Sequence, residues 1–160
     1  MFCSRSPTVS GSPANLRRDG QPPKFIGTNG AYMKIYTTSR EDYLKAVLVL
    51  QKSHPEVHSV DVARYLGFSK PSVCHAVSLL TSEGFLSVDA SYALHLTDQG
   101  REIAEKTYER HCFFAGHLIE LGVDPVVAQE DACRMEHAIS DESFAKLKET
   151  FGPAAFPPAD

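Results

Sequence analysis

Apolar residues recur at helical spacing from Tyr43 onward. Tyr43, Val47 and Leu50, with Leu44 and Leu48 beside them, form one face of a helix that Ser39 is placed to cap. His54-Pro55 ends it, because the residue before a proline avoids the α region. Ser59 is placed to cap a short helix from Val60 to Leu66, closed by Gly67. Ser69 opens the next, with Pro71 in its tolerated first turn and Val73, Ala76, Val77 and Leu80 facing inward. Two helices joined by a glycine-containing turn are a helix-turn-helix. After Gly84 the period becomes two: Phe85, Leu86 and Val88 lead to a tip at Asp89-Ala90-Ser91, and Leu94 and Leu96 alternate on the return. That hairpin completes a winged helix-turn-helix. Thr97 caps a long helix through Leu121, with Ile103, Thr107, His111, Phe114 and Leu118 in register and Gly122 at its end. Asp124-Pro125 opens a helix to about Ile139, and Ser140 opens a last one carrying Phe144, Leu147 and Phe151. The fold class is mainly α, an N-terminal winged helix-turn-helix followed by an α-helical domain.

The two ends lack this pattern. Residues 1–33, rich in Ser, Pro, Gly and Asn, read as a disordered arm, and 153–160 as a flexible tail after Gly152-Pro153. Residues 34–97 then form the winged unit and 98–152 the helical one. With 160 residues, 42% of them hydrophobic, the chain is long enough for one domain or two small ones. No apolar run approaches the roughly 18 residues of a membrane span, and no signal-like segment opens the chain. Cys3, Cys74, Cys112 and Cys133 lie far apart without CxxC spacing, which fits a reducing, cytoplasmic setting better than a disulfide framework or zinc ribbon. The net charge of -4 hides a basic start, with five cations against Asp19 in residues 1–34, and an acidic 98–152 with twelve acids against six bases. By charge alone such a body is no obvious nucleic-acid binder.

Two motifs carry chemistry. Ser69, Lys70, Pro71, Ser72 and His75 start the second helix of the pair, where residues face base edges in a major groove, and Lys70 and Arg64 are the cations for phosphates. The competing reading is a three-helix core with a hairpin and no nucleic acid, since across 59–96 those two cations face Asp61, Glu83 and Asp89. In the second motif, Cys133, Glu136 and His137 stand at i, i+3 and i+4, so a thiolate, a carboxylate and an imidazole share one helix face. That mixture suits Fe(II), Mn(II), Co(II) or Zn(II) better than Mg(II) or Ca(II); the plain alternative is a buried cysteine beside a solvated Glu-His pair. A zinc-protease H-x-x-E-H is not formed, because Cys133 replaces the first histidine and no partner Glu is evident, so no enzyme is expected. His111, among apolar neighbours, and Asp42, in a first helical turn, are not singled out by spacing.

From Ser39 to Phe151 the chain resembles the diphtheria-toxin-repressor and manganese-transport-regulator family of bacterial metalloregulators. The matching stretches are Glu41-Asp42-Tyr43-Leu44, Phe68-Ser69-Lys70-Pro71-Ser72-Val73, Leu94 to Gly100, and Glu130 to Glu142 with Cys133-Arg-Met-Glu136-His137 inside it. The resemblance implies a homodimer, without the SH3-like third domain of some members, that binds double-stranded operator DNA when Mn(II) or Fe(II) is bound. It makes 98–152 the metal-binding and dimerisation domain and implies a primary metal site of Asp42, Cys133, Glu136 and His137. This is a hybrid of the manganese-type choice at 42 and the iron-type choice at 133. His111 matches a further family ligand, but Ala115, Gln129 and Lys45 replace second-site ligands, and the Lys45 ammonium is placed to neutralise a nearby carboxylate. One well-formed metal site is therefore expected, with His111 an ancillary ligand or a structural remnant. The alternative keeps the winged helix and drops the metal, with Cys74 or Cys112 as a redox- or ligand-responsive thiol.

Overall fold

The computed structural model describes residues 29–154, with side chains from Arg40 onward. Residues 1–28 of the expected arm and 155–160 of the expected tail lie outside the described residues. The element order is α1 (Asn29–Gln51), α2 (Ser59–Leu66), α3 (Lys70–Ser82), β1 (Leu86–Val88), β2 (Leu94–Leu96), α4 (Asp98–Glu120), α5 (Pro125–Met135) and α6 (Asp141–Phe151). Local signals set most boundaries. Ser69 Oγ accepts from the Ser72 N–H at 3.3 Å, Thr97 Oγ1 from Gly100 at 3.1 Å, Asp124 Oδ1 from Val126 at 2.9 Å and Ser140 Oγ from Ser143 at 3.2 Å. Each satisfies an otherwise orphaned donor of a first helical turn.

Three boundaries differ from the sequence reading. α1 starts at Asn29, so Ser39 lies inside the helix and residues 29–33 belong to it; between Ala31 and Ser39 no proline or glycine interrupts the helix. His58 rather than Ser59 occupies the cap of α2, and its N–H donates to Asp61 Oδ2 at 2.9 Å. α5 ends at Met135 instead of about Ile139. There Arg110 of α4 donates through Nη1 to the Glu136 and Ile139 carbonyls at 3.1 and 3.2 Å, bonds that replace the next helical turn.

The wing, β1 antiparallel to β2 with Leu86 opposite Leu96, is fastened on both sides. The Leu94 N–H donates to Val57 O at 2.7 Å, and Thr97 Oγ1 to Gly84 O at 2.7 Å. At Gly100 the first turn of α4 presses on Phe85, the residue before β1, and a Cβ there would stand 2.0 Å from Phe85 O. Apolar burial forms two cores. Leu44, Val47, Val62, Val73, Leu80, Leu86 and Leu94 fill the first, joined by Ala104 of α4. Phe113, Phe114 and Ala115 of α4 pack with Ala132 and Phe144 in the second. One continuous helix thus belongs to both. No helix among the described residues is long and apolar enough to cross a membrane.

Candidate metal centre

Where α1, α4 and the turn after α5 meet, ionisable side chains converge on Glu136, which is 1% exposed. Its Oε1 accepts from the Lys45 ammonium of α1 and lies 3.2 Å from His137 Nε2, while Oε2 is 2.9 Å from His111 Nδ1 of α4. Burial works against ionising this carboxyl, yet the hydrogen bonds from His111 and His137 and the Lys45 charge outweigh it and hold its pKa at about 2. The cations respond in kind. Burial opposes charge on His137, but Asp42, Glu136 and Glu41 together push its pKa up to about 11. On His111 burial is likewise overcome, by bonds with Cys133, Glu136 and Gln129, and the pKa rises to about 9. Lys45 is buried, but Glu136, Cys133 and Asp42 favour its charged form and raise its pKa.

Both imidazoles are oriented from behind. His137 Nδ1 is 2.6 Å from Glu41 Oε2, which turns Nε2 toward Asp42 Oδ1 at 3.0 Å. His111 Nε2 is 2.7 Å from Gln129 Oε1, which turns Nδ1 toward Glu136 and toward Cys133 Sγ at 3.6 Å. Two overlapping sets of donors result, each with its atoms within 4.8 Å of one another: Asp42, Glu136 and His137, and His111, Cys133 and Glu136. All five residues expected at a metal site therefore lie in one cluster. The structure divides them, however: Cys133, at an exposed position near the end of α5, groups with His111 and not with Asp42 and His137. Glu136 and His137 follow the last residue of α5, so the i, i+3, i+4 triplet straddles a helix end. A donor set of two carboxylates and an imidazole suits a divalent cation such as Mn(II) or Fe(II), and the site fits one.

Sequence reasoning missed the contacts of Glu41 and Gln129. Glu41 adjoins Asp42 in a plain acidic pair, and its partner His137 is 96 positions away, a separation no local spacing reveals.

The DNA-binding candidates lie apart from this cluster. Ser69, Lys70, Pro71, Ser72 and His75 are all exposed at the start of α3, and Arg64 is exposed on α2, 3.5 Å from Asp61 Oδ1. Cys74 is exposed on α3. Burial pushes the Cys112 thiol pKa up, away from a reactive thiolate. Cys3 is outside the described residues.

Comparison with known proteins accounts for both halves. The iron dependent repressor N-terminal DNA binding domain matches residues 36–94, and the iron dependent repressor metal binding and dimerisation domain matches residues 97–159. The transcriptional regulator MntR of Salmonella typhimurium is 35% identical over 104 residues, which are 65% of this chain and 66% of that protein. The diphtheria toxin repressor of Corynebacterium glutamicum is 28% identical over 118 residues, 73% of this chain and 52% of that one. A solved structure of a manganese-dependent transcriptional repressor in complex with manganese matches with a TM-score of 0.63 and 30% identity, over 76% of this chain and 55% of that one. The chain thus matches about two thirds of the MntR length and about half of the other two. A wing fastened to a helix pair, a long helix shared by two cores and a ligand cluster between them all fall within those two matches, and the chain belongs to the iron-dependent repressor family.

Proposed function

We propose that this chain is a metal-dependent transcriptional regulator, a repressor, that binds operator DNA as a homodimer when Mn(II) or Fe(II) occupies the cluster at Glu136. The observation that carries this reading is the convergence of Asp42 Oδ1, Glu136 and His137 Nε2 from segments 95 positions apart. Asp42 belongs to a helix of the winged unit's core; Glu136 and His137 belong to the turn that follows α5. A bound divalent ion supplies the positive charge these carboxylates share and so ties the two parts together. Asp42, Glu136 and His137 are its proposed ligands, with Cys133 and His111 on the adjoining side. Glu41 fixes the tautomer and ring direction of His137, as carboxylates behind metal-bound histidines do.

The exposed start of α3 supplies the reading surface. Ser69, Lys70, Pro71, Ser72 and His75 face a major groove, and Arg64 with Lys70 serves the phosphates. A second copy covers the apolar face left open beyond α4, where Leu121 is 81%, Phe151 63% and Met135 38% exposed. Dimerisation there fixes the distance between two α3 helices. To move the DNA-competent state from 1:99 to 99:1, differential metal affinity must supply about 5.5 kcal/mol.

The test is anaerobic fluorescence anisotropy on the DNA upstream of the chain's own gene, titrated with Mn(II) and then Fe(II). Asp42→Ala is the informative variant, because Asp42 sits at the rim of the cluster, whereas Glu136 compensates three buried cations. Metal-dependent binding in the wild type, weakened at least tenfold in the variant, is expected. Equal binding in chelator and in metal would overturn the reading.

A further inference from the structure

One cation of the chain's own already reaches into both donor sets. The Lys45 side chain is 7% exposed, its Nζ bonds Glu136 Oε1, and it lies 3.6 Å from Asp42 Oδ1 and 3.8 Å from Cys133 Sγ. The two donor sets share Glu136, so ions in both would share that carboxylate and flank a buried ammonium. Like charges in a desolvated site repel strongly, and burial of the Lys45 side chain holds its ammonium there. The sets also differ in charge. Asp42, Glu136 and His137 are backed by Glu41, which brings three carboxylates to one side. His111, Cys133 and Glu136 bring one carboxylate, and the residue behind His111 is the neutral Gln129.

We propose that Lys45 is the second cation of this cluster: the chain takes a single divalent ion, at Asp42, Glu136 and His137, and the ammonium keeps the His111–Cys133–Glu136 set from taking another. This rests on the metal-sensing reading above and adds its stoichiometry. Cys133 Sγ, already within 3.8 Å of Nζ, is the contact the ammonium keeps when Glu136 and Asp42 turn to the metal. Cys133 then acts through Lys45 and is not itself a ligand.

The experiment is anaerobic equilibrium dialysis of the full chain against Mn(II), counting metal per chain by elemental analysis, with circular dichroism to verify folding. Wild type and Lys45→Arg, which keeps the charge, are expected to saturate at one equivalent. Lys45→Gln, which removes only the charge, and Lys45→Glu, which adds a carboxylate, are expected to take two. In Lys45→Glu the second equivalent should bind at least tenfold more tightly than in Lys45→Gln. Adding His111→Ala to Lys45→Glu should return it to one equivalent. Two equivalents in the wild type, or one in a folded Lys45→Glu, would overturn the proposal. No Mn(II) bound by the wild type would overturn the metal reading itself, a different result from either.

Discussion

Glu136 is almost wholly buried. Its carboxylate faces Lys45, His111 and His137, and truncation to alanine leaves these buried cations without their shared counter-charge. Breaking a buried ion pair from one side costs about 3–5 kcal/mol. Glu136→Ala should lose that much in urea unfolding with chelator present, and Glu136→Gln less. The same contacts set a pH profile for the metal-free chain. Glu136, held at about 2 rather than 4.5, gives stability that is fully present above pH 4.5 and lost as the pH falls toward 2. His111, raised from 6.5 to about 9, gives stability fully present below pH 6.5 and lost as the pH rises toward 9, and His137 extends that loss toward 11. The melting temperature in chelator should therefore peak between pH 4.5 and 6.5 and decline from 6.5 to 9. A flat profile over the upper range would contradict these couplings. Of this cluster, local spacing exposes only Cys133, Glu136 and His137. Asp42 and His111 enter through the family pattern, because their partners lie 95 and 25 positions away and only folding brings them near.

At the scale of elements, legibility follows the range of the force that sets each boundary. The starts of α3, α4, α5 and α6 were readable because a Ser, Thr or Asp side chain caps each within three residues. The end of α5 was not, because Arg110 claims two carbonyls across 26 and 29 positions. The start of α1 escapes local reading for another reason: Ser39 is a good cap residue with a helix already running through it. Gly100 is a further tertiary demand hidden in a helical pattern. A methyl group there meets the Phe85 carbonyl, so Gly100→Ala should destabilise by about 1–3 kcal/mol through overpacking, even though alanine favours helices. Chemical denaturation checks the sign: a gain in stability would mean that the wing and α4 are not in this close contact.

For the whole molecule, two surfaces carry separable predictions. Leu121 is largely exposed in the single chain, so Leu121→Glu should leave the monomer folded while halving the mass seen in sedimentation. Lys70→Ala should weaken DNA binding with little regard to sequence and lower the salt slope by about one. The shared helix has a mechanical corollary. α4 has 23 residues, starts against the wing and ends in the second core. It is a rigid arm about 35 Å long, so a 10° tilt at one end displaces the other by roughly 6 Å. In the proposed dimer on DNA, with half-sites one helical turn or about 34 Å apart, leverage of that size would decide whether both α3 helices enter their grooves together.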